Sequence, residues 1–186
     1  MKILIAILAT LLVVAAAAVG YVLSGSYNVA ATVPHTGAGA WMLHELKERS
    51  IESHATDTGV APTDSAMLAR GFHEIEEMCV TCHGAPGVEP SAIGKGMRPE
   101  PPDLGEAAGE FSDGALFWIV KHGVKLAGMP AFGPTHSDST LWGIVGAMRQ
   151  MPGMTAAEYQ ARISAAAAAA STSGHTHPAG TPAHSH

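Results

Sequence analysis

The sequence predicts an all-α fold, and three observations support this prediction. Apolar residues recur at helical spacing in residues 41–54, 65–79, 113–122 and 138–151, and no segment shows the alternating pattern of a strand. Glycine and proline concentrate between these segments, where they interrupt helices. The uncharged run 3–23 is long enough to form a separate apolar helix. We therefore expect a small helical domain that follows a hydrophobic N-terminal segment.

The N-terminal segment, residues 1–24, has two interpretations. As a helix, residues 3–23 would extend about 30 Å, the hydrocarbon thickness of a bilayer. Lys2 and the terminal amine then place the N-terminus in the cytoplasm, as in a single-pass anchor. Alternatively, residues 16–18 form an A-x-A cleavage site of a signal peptide. We favour the uncleaved anchor, because the apolar run continues to Leu23, and we expect the rest of the chain to be exported.

Residues 25–62 form a predicted linker that includes a juxtamembrane helix. Residues 24–40 are rich in Gly, Ser, Thr and Ala. Residues 41–54 follow with a thin apolar stripe of Trp41, Leu43, Leu46 and Ile51. This helix could lean on the membrane surface, dock on the main domain or serve as a solvated spacer.

Three helices form the predicted main domain, residues 63–155. Each follows residues that can cap its first turn, and the candidate caps are Thr63 or Asp64, Ser112 or Asp113, and Asp138 or Ser139. The first helix runs to about Cys79, the second to about His122, and the third to about Met151, before Pro152. Residues 84–110 are expected to wrap the domain as an irregular loop. Residues 156–186 form an Ala-rich and then His-rich tail, whose end should be disordered.

The motif Cys79-Val80-Thr81-Cys82-His83 carries the chemistry. C-x-x-C-H is the pattern of c-type haem attachment: two thiols form thioethers with the haem vinyl groups, and the adjacent imidazole binds the iron. A thioredoxin-like redox pair would need a βαβ context, which is missing from the sequence pattern. A zinc site would need further ligands at zinc spacing, and a disulfide between Cys79 and Cys82 is awkward on a helix. We therefore predict one covalent haem c.

A sixth ligand to the iron is expected from a loop on the other side of the porphyrin. Met129, in Gly-Met-Pro-Ala-Phe-Gly, is the preferred candidate, because a thioether favours Fe(II) and raises the potential. Met97 is the methionine alternative, and His122 and His136 are the nitrogen alternatives.

On these residues, the stretch from about 64 to 152 resembles a class I cytochrome c domain, the small all-helical electron carrier. The resemblance implies that Gly71 allows close crossing of the first and last helices, with Trp142 as an aromatic partner there. It also implies that the Pro102 carbonyl accepts a hydrogen bond from Nδ1 of His83 and that Leu104 packs on the haem. Ile75 departs from the family pattern, since an aromatic residue is common four positions before the first cysteine.

The N-terminal segment is similar to that of membrane-anchored mono-haem cytochromes c of proteobacteria, in its Tyr-Asn-Val-Ala-Ala-Thr-Val-Pro-His segment (27–35) and the helix from Trp41. This resemblance implies a location at the periplasmic face of the inner membrane, near a respiratory complex.

The haem propionates need hydrogen-bond donors or cations. The candidates are Arg98, Lys121 and Trp118.

Charge and composition restrict the partners. The net charge is −6, so no basic surface is available for nucleic acid. His175, His177, His184 and His186 could bind Cu, Zn or Ni weakly, although a solvated tail is the simpler interpretation.

We therefore expect an electron carrier, not an enzyme. It would pass one electron from a dehydrogenase or cytochrome complex to a terminal oxidase or reductase. The alternatives are a haem enzyme or gas or redox sensor whose sixth ligand is labile or missing, and a cytochrome subunit of a larger oxidoreductase complex.

Overall fold

The computed structural model describes residues 1–125 and 127–172, and its contacts divide the chain after Ala40. Within the described residues all regular structure is helical, with only two isolated β-bridges, which confirms the all-α prediction. The elements, in order, are α1 (Lys2–Leu23), α2 (Gly37–His54), α3 (Ser65–Glu74), a π-helical turn (Ile75–Cys79), α4 (Val80–His83), α5 (Ala92–Gly96), α6 (Leu104–Glu110), α7 (Asp113–His122), α8 (Asp138–Met148) and α9 (Ala156–Thr172).

The first unit contains α1, a helix of 22 residues with a mean hydropathy of 2.8. All of its side chains are exposed. By length and composition α1 is able to cross a membrane, although a signal sequence would meet the same criterion.

The core of the second unit forms where α3 crosses α8. Gly71 is needed there, because a Cβ atom at this position would lie 1.9 Å from the carbonyl oxygen of Gly143. The two helix backbones therefore touch directly. Trp142, which the resemblance implies as an aromatic partner of this crossing, directly precedes Gly143 in α8. Its ring stacks on Phe117 of α7, with centroids 4.4 Å apart.

The predicted caps are largely observed. The side chain of Asp64 accepts hydrogen bonds from the second and third residues of α3, and that of Ser112 accepts one from Ala115 in α7. The cap of α8 was predicted wrongly, because Ser137 and not Asp138 or Ser139 fills this role. Helix α8 begins at Asp138, so the residue before it is Ser137, and the Ser137 hydroxyl accepts from the backbone N–H of Thr140.

The wrapping segment 84–110 is more ordered than predicted, because it contains α5 and α6. Both helices begin at a side-chain cap: Ser91 accepts from the N–H of Ile93, and Asp103 accepts from the first turn of α6. Such short helices are not stable alone, and contacts with the rest of the domain must hold them. Three residues of α6 are buried in the core, namely Leu104, Ala107 and Ala108.

The Ala-rich part of the predicted tail is helical and packed as well. Helix α9 begins with a reciprocal cap, in which Thr155 N–H donates to Glu158 and Glu158 N–H donates to Thr155. Tyr159 is fully buried and meets Phe72 of α3 edge-on, with ring centroids 6.3 Å apart. The domain core thus extends beyond residue 155. The His-rich end, residues 173–186, lies outside the described residues, and its predicted disorder and metal binding stay predictions.

An ionic hub joins the linker, α7 and the end of α8. Arg149 donates to the carboxylate of Asp113 and to the carbonyl oxygens of Ala108 and Phe111. The backbone N–H of Ala61 donates to the same carboxylate at 2.7 Å. Burial would raise the pKa of Asp113, but these hydrogen bonds and the Arg149 charge outweigh it and hold the pKa below 3.8.

We expect Asp113→Asn to lower the free energy of unfolding at pH 7 by about 1–3 kcal/mol. Because the folded-state pKa is depressed, this stabilisation is present above pH 3.8 and is lost as the pH falls through the lower folded-state pKa. Urea unfolding at pH 7 and at pH 3 would measure it. The exposed Glu52→Gln serves as control, and an equal deficit of the Asp113 variant at both pH values would contradict this assignment.

Candidate haem site

The two cysteines of the C-x-x-C-H motif are both unpaired and partly buried. Cys79 ends the π-helical turn, and Cys82 and His83 lie in α4. A π turn contains one residue more than an α turn, so it changes the direction in which Cys79 leaves the helix. No local pattern in the sequence marks this turn, and the apolar spacing predicts a continuous helix to about Cys79.

The environment of Cys79 argues against a redox dithiol. Burial, with the charges of Glu74 and Cys82 adding to it, raises the pKa of the Cys79 thiol to about 12. The group is therefore a neutral thiol at pH 7, whereas redox cysteines need a lowered pKa. Among the described residues, no group of three or more His, Cys, Asp or Glu side chains is arranged to hold a metal ion.

His83 is oriented by a backbone carbonyl across the wrapping segment. Its Nδ1 lies 2.7 Å from the carbonyl oxygen of Pro102, the contact that the resemblance implies. A carbonyl can only accept, so Nδ1 carries a hydrogen, and in the neutral imidazole Nε2 is then the nitrogen with the lone pair. Two residues later Leu104 is buried at the start of α6. An imidazole held in this way is prepared to bind a metal through Nε2.

Helix α5 packs directly behind the motif, a feature that the sequence analysis missed. A Cβ atom at Gly94 would lie 2.3 Å from the carbonyl oxygen of Cys82. The backbone N–H of Ser91 donates to Thr81 at 3.0 Å. The sequence signal for α5 is a serine cap followed three residues later by glycine. This pattern is too common to predict such a helix without the tertiary structure.

Met129 is half-buried in a loop that is fastened to the end of α7. Val124 N–H donates to the Met129 carbonyl at 3.2 Å, and Gly133 N–H donates to Lys121 at 2.9 Å. Gly123, with φ of +66°, lies so close that a Cβ atom would be 2.6 Å from the same Met129 carbonyl. The glycines therefore allow the close backbone contacts that fix the position of Met129 in the loop.

The alternative sixth ligands differ in their surroundings. The Met97 methyl lies 2.8 Å from the position of a Cβ atom on Gly128, so it is a direct neighbour of the Met129 loop. His122 is exposed and its ring lies 5.2 Å from that of Trp118. His136 Nε2 lies 3.7 Å from a carboxylate oxygen of Glu74. Both histidines thus have partners other than the motif.

The three candidate propionate donors also have other partners. Arg98 donates to the carbonyls of Lys95 and Met97 at 3.1 and 2.6 Å. Lys121 pairs with Asp138 at 2.8 Å, and Trp118 lies between His54 and His122. The Arg98 bonds both leave from Nη1 and the Trp118 contacts are between rings, so these contacts occupy neither Nη2 of Arg98 nor Nε1 of Trp118.

The donor set fits a covalently held haem. A c-type haem requires two thiols with two residues between them, an adjacent imidazole and a further axial ligand, and this chain offers Cys79, Cys82, His83 and a thioether in a glycine-rich loop. When bound, the haem supplies an iron that gains or loses an electron, while the chain holds and orients it.

Comparison with known proteins agrees with this site. Residues 66–148, somewhat under half of the chain, match the family model described as cytochrome C oxidase, cbb3-type, subunit III. No curated protein matches the chain. Fold, motif and match agree in supporting a class I c-type cytochrome domain in this stretch, and a domain of that class implies haem c binding and haem-based electron transfer. Within that class, it is similar to the cytochrome domain of the cbb3-type oxidase subunit.

Proposed function

We propose that this chain is a membrane-tethered electron-transfer cytochrome c that carries one electron on a single haem. Cys79 and Cys82 hold the haem, and His83 and Met129 bind its iron. The observation that carries this proposal is the bond from His83 Nδ1 to the Pro102 carbonyl, because it leaves Nε2 free beside two unpaired thiols. Leu104 packs on the haem, and Arg98 and Trp118 contact the propionates.

The tether and the location follow from α1. Its length and hydropathy suit a single span, and Lys2 favours an N-terminus in the cytoplasm. The domain then lies on the periplasmic side of a bacterial inner membrane, where c-type haem is attached. A tether keeps the domain close to membrane partners and raises their effective concentration.

The partners are respiratory redox proteins, with a dehydrogenase or cytochrome complex as donor and a terminal oxidase or reductase as acceptor. The family match favours a second candidate, a cytochrome subunit of an oxidase complex, which uses the same chemistry. Purification from membranes in mild detergent distinguishes the two: a carrier elutes alone, whereas a subunit elutes in fixed stoichiometry with its complex.

Substitution of Met129 tests the ligand assignment. We expect Met129→Ala to convert a low-spin spectrum to a high-spin one, to remove the weak far-red band of Met–Fe(III), and to lower the potential by on the order of 0.1 V or more. Optical spectra and potentiometric titration would measure these changes.

The matched control is Met97→Ala, which removes the neighbouring thioether. It should leave the low-spin spectrum and the far-red band intact. The opposite pattern, with the band lost only in the Met97 variant, would move the sixth ligand to the wrapping segment. Rapid CO binding by the unmodified ferrous protein would favour the haem enzyme or sensor.

A further inference from the structure

The first half of α2 carries an apolar surface that no described part of the chain covers. Trp41 and Leu46 are each 66% exposed, and Met42 is 56% exposed. With 3.6 residues per turn, the three side chains lie within an arc of about 140°, which also carries the ion pair of Glu45 and Arg49. We call Trp41, Met42 and Leu46 the α2 patch. Exposed aromatic and aliphatic side chains grouped in this way mark a contact surface.

The opposite side of α2 is packed against the haem domain. Ile51 is only 3% exposed. Just after the helix, the carbonyl of Asp57 approaches Gly114 of α7 so closely that a Cβ atom there would lie 2.1 Å from it. The ring of His54 lies 5.8 Å from that of Trp118. Because one continuous helix carries both surfaces, the α2 patch is held in a fixed direction relative to α7.

The occupant that fits the α2 patch is a lipid surface. Helix α1 is long and apolar enough to span a bilayer, and only residues 24–36 separate it from α2. At about 3.5 Å per residue these 13 residues reach no farther than about 45 Å, so a bilayer that holds α1 lies within range. Tryptophan is enriched at membrane interfaces, where its ring is partly buried and its N–H stays hydrated.

The charges of α2 are compatible with this location. Arg49 pairs with Glu45 at 3.2 Å, and Lys47 pairs with Glu48 at 3.0 Å. Paired charges lower the free-energy cost of bringing the helix into the headgroup region. Polar side chains are tolerated there because the region is hydrated.

We propose that the α2 patch docks on the membrane in which α1 is anchored, so that α2 acts as a strut between the bilayer and the haem domain. This inference rests on the membrane tether of the proposed function. It adds that the haem domain does not swing freely on its linker. Ile51 and the contacts after it fasten the strut to α7, and one face of the domain is therefore presented to partners in the same membrane.

The first test uses the full-length haem protein in lipid nanodiscs. Lipids brominated near the headgroup end of their chains quench tryptophan only at short range. We expect them to reduce the emission of Trp41, obtained as the difference between the parent protein and Trp41→Phe, about twofold or more. The emission of Trp118 and Trp142 cancels in this difference. It is measured directly in the Trp41→Phe variant, where the brominated lipids should not reduce it.

The second test places a nitroxide on the chain through Met42→Cys, with the exposed Val60→Cys as matched control. We expect collisions with lipid-soluble oxygen to dominate at residue 42 and collisions with a water-soluble nickel chelate to dominate at residue 60. The docking would be overturned if Trp41 is not quenched and residue 42 is exposed to water. If the same protein resists carbonate extraction from membranes, the tether remains supported. Release by carbonate would contradict the tether and the docking together.

Discussion

Replacement of both Cys79 and Cys82 by alanine is expected to abolish covalently bound haem. The two thiols are unpaired, and no other cysteine exists in the chain. Haem staining after a denaturing gel measures the effect, and the signal should fall from full to none. Each single variant should keep one thioether, with the mass of the chain plus haem. The double variant should also unfold more easily, since the stabilisation by a dissociable cofactor grows only with the logarithm of its free concentration and vanishes when that concentration is well below its Kd.

A matched control is available within the same motif. Thr81 is exposed between the two cysteines, and Thr81→Ala should retain full haem staining. Residual staining of the double alanine variant would place the attachment elsewhere. The parent protein could also lack haem when it is produced with the export and attachment machinery. That result would favour a redox or metal-binding role for Cys79 and Cys82.

Replacement of Tyr159 by alanine is expected to destabilise the haem protein by about 3–5 kcal/mol. The ring is fully buried against Phe72, and its hydroxyl donates to Glu76 of the π-helical turn at 2.7 Å. The substitution leaves both a cavity and a half-buried carboxylate without its donor. Tyr159→Phe keeps the ring and should cost only about 1 kcal/mol. Urea unfolding followed by haem absorbance measures both changes.

Tyr27 provides the comparison, because it is 48% exposed and lies in the first unit. Tyr27→Ala should change the free energy of unfolding of the haem domain by less than about 0.5 kcal/mol. Equal urea midpoints for the parent and Tyr159→Ala would show that α9 does not contribute to the folded domain. That result would restore the boundary at residue 155.

Helix α9 also shows where composition misled the sequence analysis. Six consecutive alanines and a His-rich end suggested a low-complexity tail from residue 156. The informative signal was local: Thr155 and Glu158 have the spacing of a capping box, and Tyr159 follows at once. Alanine has the highest helix propensity, so a capped Ala-rich segment with one large apolar side chain is able to dock as a helix.

The helices of the wrapping segment were missed for a different reason. Five residues of α5 and seven of α6 are too short to show an apolar period, and isolated helices of this length do not form in water. They exist because Gly94 lies against the backbone of Cys82 and because Leu104 is buried. Neither contact can be recognised from the residues next to it in the sequence.

The sequence by itself determined the helical class, most of the caps and the chemical groups available to a haem. These properties are local, since periodicity, cap residues and the spacing in Cys-Val-Thr-Cys-His act over a few positions. Only the tertiary structure decided which groups meet. It brought the Pro102 carbonyl to His83 and Met97 beside the Met129 loop, and it buried Tyr159 against α3. Such contacts depend on the close passage of Gly71 and Gly143 and on packing between distant segments, which no short stretch of sequence encodes.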